Sequence, residues 1–296
     1  MRVVLEQLIN ALALGSIYAL IALGVAMVFS ILGVINFAHG EFLTVAGYSM
    51  LFLTLQKVSW VLIVPMSILS AVLTAIVLER IAFRPVRSAP AMTLLLTSYA
   101  ASTIIQNTLL LSIGAIPKSL NFPAWVDSQI GFGGLTVQWL DVITLLTTLG
   151  LLFGLTLLLR RTVIGLALRS AAEDFSITRL MGVRADLIVV GAFAVSGALA
   201  GWAALFYFGS APVVLPSSGL HPLLKGFIAS VIGGLGSLPG AVVGGFLLAF
   251  LEVFFQATLP GNLTGYVDAL VFVIVILILL FRPNGLLGRQ GARGRV

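Results

Sequence analysis

Long apolar runs joined by short polar stretches are the feature that most limits what this chain can fold into. A helix needs about 20 mostly apolar residues to cross a bilayer, and up to nine such runs occur among the 296 residues. Only 9% of the residues are charged, compared with about 25% in soluble domains. We therefore predict an all-α fold, a polytopic transmembrane helical bundle of eight or nine membrane segments in a single domain over residues 1–296. The runs span 8–32, 40–55, 61–78, 91–113, 140–159, 187–208, 223–235, 240–259 and 266–281.

Two of the runs are interrupted by residues that disfavour a continuous helix. The run 40–55 opens with Gly40 and Glu41, and the run 223–235 is short and ends among glycines. We therefore expect broken membrane segments near Asn36 to Glu41 and near Gly233 to Gly240.

Arginine-rich loops indicate the orientation, because cytoplasmic loops are enriched in Lys and Arg. Loop 79–90, loop 160–186 and the C-terminal tail carry most of the arginines, whereas 114–139 contains one base, Lys118. We expect the first three to be cytoplasmic and 114–139 to be external, without a long helix because it contains several Pro and Gly. The side of the N-terminus stays open, because it depends on whether 40–55 crosses fully.

Several function classes lack the residues they require. The chain has no Cys, and its only histidines are His39 and His221, so a Cys- or His-rich metal site is excluded. None of its three lysines follows Gly in the Gly-Lys-Ser/Thr pattern of a nucleotide loop. No catalytic motif is present, so we expect no enzyme activity, no metal and no bound cofactor. Because the arginines lie in loops between apolar runs, the net charge of +6 indicates topology and not a nucleic-acid partner.

A polar cluster, Asn36, His39 and Glu41, lies between the first two apolar runs. Ionisable groups at membrane depth usually face the bundle interior or a water-filled path. The cluster could line a translocation pathway, or it could form a surface turn in which Asn36 caps the next helix. Glu252 and Asp268 also lie in apolar runs, where we expect an interhelical hydrogen bond or an interfacial position.

The loop 160–186 contains a stretch typical of a short amphipathic helix. Glu173 and Asp174 lie near its expected start, Phe175 and Leu180 contribute an apolar face, and Gly182 suits its end. This stretch could dock a soluble subunit, or it could be a connector lying on the membrane.

A glycine-rich stretch joins two of the later apolar runs. Small residues allow close helix contact in membranes, and a break at membrane depth is tolerated where protein or water covers it. We therefore expect this stretch to form a structural break and to allow close contact between the two helices. It contains Gly233, Gly234, Gly236, Pro239 and Gly240.

Four motifs, in order along nearly the whole chain, resemble those of branched-chain amino acid ABC transporter permeases. They are Gly-Ser-Ile-Tyr-Ala-Leu-Ile-Ala-Leu-Gly at 15–24 with Ile-Asn-Phe-Ala-His-Gly-Glu-Phe at 35–42, Ala-Ala-Glu-Asp to Gly at 171–182, Gly-Gly-Leu-Gly-Ser-Leu-Pro-Gly at 233–240 and Arg-Pro-Asn-Gly-Leu at 282–286. The second motif resembles the family's cytoplasmic coupling segment.

The resemblance implies a permease in a bacterial or archaeal cytoplasmic membrane that imports branched-chain or related small amino acids. It also implies a homologous second permease, two cytoplasmic ATP-binding subunits that bind the ATP, and an external solute-binding protein. Similar permeases carry urea or short amides, and this is one alternative. A secondary transporter driven by an ion gradient through Glu41 or Asp268 is another, and a membrane-embedded enzyme is a third without a recognisable site.

Overall fold

Apolar helices make up most of the computed structural model, which describes residues 2–126, 128–132, 135–173, 178 and 185–288. Within these ranges there are ten α-helices. They are α1 Arg2–Leu32, α2 His39–Leu55, α3 Trp60–Leu78, α4 Ala91–Ile113, α5 Trp139–Arg161, α6 Val163–Glu173, α7 Ala185–Ser210, α8 Leu220–Gly233, α9 Leu238–Thr258 and α10 Val267–Phe281.

Helix formation follows the predicted apolar runs, because a segment in lipid must satisfy its backbone hydrogen bonds internally. Seven of the described helices, α1, α3, α4, α5, α7, α9 and α10, are long and apolar enough to cross a membrane once flanking turns are included. The all-α polytopic bundle is therefore confirmed. Helices α2 and α8 have only 17 and 14 residues, so the count of eight or nine membrane segments stays a prediction.

Both predicted breaks are present in the structure. Helix α1 ends at Leu32, Gly33 has a φ of 69°, and α2 begins at His39. Helix α8 ends at Gly233, and the φ angles of Gly234 and Gly236 are 109° and 81°, a region that favours glycine. The backbone therefore turns at each glycine before the next helix starts.

Helix α1 is the centre of the bundle and is mostly buried by α9, α7, α8 and α5. Glycines allow the closest approaches: a side chain on Gly245 would meet the backbone of Ala19, and one on Gly226 would meet Ile21. Helices α4, α5 and α10 are more exposed, as expected for helices at the lipid-facing rim.

The segment between α4 and α5 forms short strands instead of a helix in its described residues. Strand β1 (Lys118–Ser119) pairs antiparallel with β4 (Val213–Val214), and β2 (Gln129–Phe132) pairs antiparallel with β3 (Leu135–Gln138). The absence of a long helix there agrees with the prediction from Pro and Gly.

Polar contacts gather the loops into two groups. Arg84 and Arg87 bind Asp186, which joins loop 79–90 to the start of α7. Glu6 accepts hydrogen bonds from the backbone and hydroxyl of Thr136, which joins the start of α1 to the β2–β3 hairpin. The start of α1 therefore lies beside the described part of segment 114–139.

Candidate functional site

The cluster predicted from Asn36, His39 and Glu41 lies inside the bundle, where all three residues are buried. Asn36 and His39 are linked through the backbone, since His39 N donates to Asn36 O at 3.1 Å. The side chain of Asn36 accepts from the backbone of Ala38 at 3.0 Å. It therefore shapes the turn before α2, but the structure assigns no side-chain N-cap to that helix.

His39 connects the start of α2 to α7 and α1. Its Nδ1 lies 3.0 Å from the hydroxyl of Ser196, and that hydroxyl donates to the carbonyl of Gly24 at 3.0 Å. Because a serine hydroxyl has one proton, His39 Nδ1 must be the donor in its own contact. The imidazole can approach α1 closely because Gly24 has no side chain. A side chain at this position would collide with the His39 ring.

Glu41 connects α2 to α4. Its Oε1 accepts from the Ser102 hydroxyl at 2.8 Å and from Gln106 Nε2 at 2.6 Å. One helical turn earlier in α4, the Ser98 hydroxyl accepts from the backbone N–H of Phe37 at 3.2 Å. A row of polar side chains on α4 therefore faces the break, an arrangement that the sequence analysis did not identify.

The starts of two short helices meet at a pair of glycines. A side chain on Gly40, in α2, would meet the carbonyl of Gly219, and a side chain on Gly219 would meet Gly40. Gly219 immediately precedes α8. Two interrupted elements therefore come together beside the buried polar cluster.

A second polar cluster, centred on Lys225 of α8, was not predicted from the sequence. Its Nζ donates to Glu252 Oε2 of α9 at 2.8 Å and to Asp268 Oδ1 of α10 at 2.6 Å. The hydroxyl of Tyr18 in α1 donates to the same oxygen of Glu252 at 3.0 Å. The prediction of interhelical bonds for Glu252 and Asp268 is thus confirmed. Lys225 could have been singled out as the one lysine inside an apolar run, since such residues mark functional positions.

The predicted coupling stretch is only partly described. Glu173 is the last residue of α6, whose start is capped by the Thr162 hydroxyl accepting from Gly165 N at 3.0 Å. Helix α6 buries Gly165, Leu168 and Ala171. Asp174, Phe175, Leu180 and Gly182 lie outside the described residues, so their proposed role stays a prediction.

The predicted glycine-rich break brings α8 and α9 into direct contact. A side chain on Gly233 would collide with the carbonyl of Gly240, and one on Gly240 would collide with Gly233. Pro239 lies in the first turn of α9, where its missing N–H does no harm. The chain beyond α10 closes over the break, as Leu286 N and Leu287 N donate to the carbonyls of Ile232 and Gly233.

Comparison with known proteins shows full-length similarity to one group of membrane proteins. The model of the family described as "Branched-chain amino acid transport system / permease component" matches residues 7–280. The chain is 36% identical to the high-affinity branched-chain amino acid transport system permease protein BraD of Pseudomonas aeruginosa, with 96% of each chain covered. It is 34% identical, with the same coverage, to the permease protein LivH of Escherichia coli K12.

A more distant relative comes from an archaeon. The probable branched-chain amino acid transport permease protein LivH of Methanocaldococcus jannaschii is 28% identical over 94% of this chain and 91% of its own. No solved structure matches the chain at a significant level. Seven candidate spans among the described residues, together with these relatives, make it a multi-pass protein of the cytoplasmic membrane. The chain belongs to the family of permease components of branched-chain amino acid transport systems.

Proposed function

We propose that this chain is the membrane-spanning permease subunit of an ABC importer that translocates branched-chain or related small amino acids. The family match over residues 7–280 is the observation that carries this proposal. The coverage of BraD and LivH supports it, because the similarity extends over 96% of this chain and 96% of each relative.

The energy for transport comes from separate subunits in this proposal. The chain has no nucleotide loop of the Gly-Lys-Ser/Thr kind, so ATP is bound by two cytoplasmic partners. A homologous second permease and an external solute-binding protein complete the importer. Loops 79–90 and 160–186 and the tail then face the cytoplasm, and 114–139 and the start of α1 face outward.

Asn36, His39 and Glu41 lie at or beside the translocation route in this proposal. Interrupted helices whose starts point into the bundle mark substrate and ion sites in many transporters. Here the starts of α2 and α8 meet at Gly40 and Gly219. Buried ionisable groups at this junction, Glu41 and His39, support a functional role over a purely local turn.

The test is reconstitution of the assembled importer in proteoliposomes. We expect leucine, isoleucine or valine to stimulate ATP hydrolysis and to accumulate only when ATP and the solute-binding protein are supplied. Urea and acetamide are the comparison substrates. Uptake driven by an ion gradient without ATP, or stimulation by urea alone, would overturn the proposal.

A further inference from the structure

The cluster around Lys225 is closed on its inner side and open on its outer side. Lys225 is 2% exposed and Glu252 is 11% exposed, whereas Asp268 is 49% exposed. His221, one helical turn before Lys225 in α8, is 59% exposed, and its Nε2 lies 3.8 Å from Asp268 Oδ2. The cluster of polar side chains therefore extends from the bundle interior to the surface of the chain as it stands without partners.

This surface lies at membrane depth. Asp268 is four residues into the candidate span Thr264–Phe281, about 6 Å along it at 1.5 Å per residue. Glu252 is six residues before the end of the span Leu238–Thr258, about 9 Å from that end. An ionisable group at such depth faces protein or a water-filled cavity and not lipid. Asp268 and His221 are therefore covered by water or by another molecule in the working importer.

Charge and hydrogen-bonding capacity indicate which kind of group suits this surface. One lysine carries a single positive charge against two carboxylates, and it contacts Asp268 through Oδ1, whereas Asp268 Oδ2 lies 3.8 Å from His221 Nε2. A carboxylate oxygen with spare acceptor capacity suits an ammonium group. His221 can donate from its ring to an anion, and it lies in the first turn of α8, where the helix dipole also favours negative charge. The pair thus offers a hydrogen-bond acceptor for the ammonium group and a donor for the carboxylate of a zwitterion.

Apolar side chains lie beside the charged pair. Leu220 and Leu224 flank His221 on α8, and Phe272 lies one helical turn after Asp268 on α10; all three are partly exposed. The ring of Phe272 also lies near the cluster, with its centroid 5.9 Å from Lys225 Nζ. Together they offer an apolar surface of the kind that an aliphatic side chain would contact.

We propose that Asp268 and His221, held in place by Lys225, form a binding site for a zwitterionic amino acid with an aliphatic side chain. Asp268 accepts hydrogen bonds from the α-ammonium group, His221 donates to the α-carboxylate, and Leu220, Leu224 and Phe272 contact the side chain. Lys225 and Glu252 are positioning residues, because they are too buried to reach the ligand. This site rests on the proposed function and assigns a substrate contact to it.

Because the chain has no cysteine, a Leu224→Cys substitution gives it a single thiol, and labelling of this chain, separated from its partners after the reaction, reports on this site. In the assembled importer without ATP, we expect a small polar thiol reagent to label this cysteine and leucine to protect it. Isopentylamine, which is leucine without the carboxylate, and 4-methylpentanoate, which is leucine without the ammonium group, should not protect. Val243→Cys is the control, since Val243 and Leu224 are both 43% exposed; we expect leucine to leave its labelling unchanged.

The contacts to the α-ammonium and α-carboxylate groups are tested separately by Asp268→Asn and His221→Phe in the Leu224→Cys background. Losing a hydrogen bond to a charged group should raise the leucine concentration for half-protection by about tenfold or more, with the same shift in KM for uptake. A cysteine that reacts equally with and without leucine, one that is never labelled, or one that cross-links to the second permease would overturn the site. Wild-type leucine uptake separates these outcomes, because its absence would overturn the proposed function as well.

Discussion

Two buried carboxylates are stabilised in different ways at the residue scale. Glu41 accepts hydrogen bonds from the neutral side chains of Ser102 and Gln106, whereas Glu252 is bound by Lys225 and by the Tyr18 hydroxyl. Neutralising each carboxylate should therefore affect stability differently. Ser102 and Gln106 can still donate to a neutral residue at position 41, whereas a neutral residue at position 252 would leave Lys225 without one of its two carboxylate partners.

We predict that Glu41→Gln impairs uptake and leaves assembly intact. The glutamine Oε1 can still accept from Ser102 and Gln106, so packing is retained while the negative charge is lost. The change from a charged to a neutral acceptor is worth about 1 kcal/mol, so uptake should fall about fivefold. Uptake in proteoliposomes and the yield of assembled importer are the two measurements. Normal uptake by both Glu41→Gln and His39→Ala would reduce the cluster to a packing motif.

Lys225→Met should be strongly destabilising, because it leaves the buried Glu252 without its cation. Removing one partner of a buried ion pair costs about 3–5 kcal/mol. The double variant Lys225→Met with Glu252→Gln should recover part of this loss, because the buried negative charge is also removed. Thermal unfolding of the purified permease in detergent gives the comparison. If the double variant unfolds at a lower temperature than both single variants, the ion pair is not the source of the stability.

Glycines decide how closely the elements around the second break approach each other. A side chain on Gly244 of α9 would collide with the carbonyl of Ala229 in α8, because the two backbones are in contact there. We predict that Gly244→Ala lowers stability by about 1–3 kcal/mol, the usual cost of overpacking. Gly154→Ala in α5 is the matched control, since nothing lies within 4 Å of that position. Equal melting temperatures for the two variants would refute close packing at Gly244.

The element that receives energy from the ATPase is predicted to lie in loop 160–186. Arg160 and Arg161 end α5, and α6 follows within two residues. Glu173→Lys or Gly182→Asp should uncouple transport from ATP hydrolysis or release the ATPase, because each changes a residue of the predicted docking stretch. Lys118→Glu, in the predicted external segment, is the control for a charge reversal. Retained ATPase binding and transport in both variants would place the docking site elsewhere.

The whole molecule has two ends with different loops, and their orientation can be tested by labelling. Cysteines at Ser88, Ser119 and Ser176 can be treated with an impermeant reagent in intact cells. Ser88 and Ser119 are exposed in the structure. We expect labelling at Ser119 and none at Ser88 or Ser176, since arginine-rich loops stay inside. The reverse labelling pattern would show that the bundle has the opposite orientation in the membrane. Labelling after cell lysis checks that each cysteine can react.

The sequence by itself determined the elements of this fold. Helix α4 begins and ends where its apolar run does, at Ala91 and Ile113. The second break occurs at the predicted glycine-rich stretch. The first break spans 33–38 and overlaps only the start of the predicted stretch, since Gly40 and Glu41 belong to α2. These features are local, because a lipid-embedded backbone must form its own hydrogen bonds and glycine permits positive φ wherever it occurs. The polar residues at the first break were also identified from the sequence.

Only the tertiary structure decided which side chains meet. Lys225 lies 27 residues from Glu252 and 43 from Asp268, and Tyr18 lies 234 residues from Glu252. It also placed the start of α1 beside segment 114–139 through Glu6 and Thr136. Helix faces could not be assigned from the pattern, because lipid is as apolar as the interior and hydrophobicity does not distinguish a buried face from a lipid-facing one. Pairings between distant polar residues therefore depend on how the helices pack, which no local periodicity encodes.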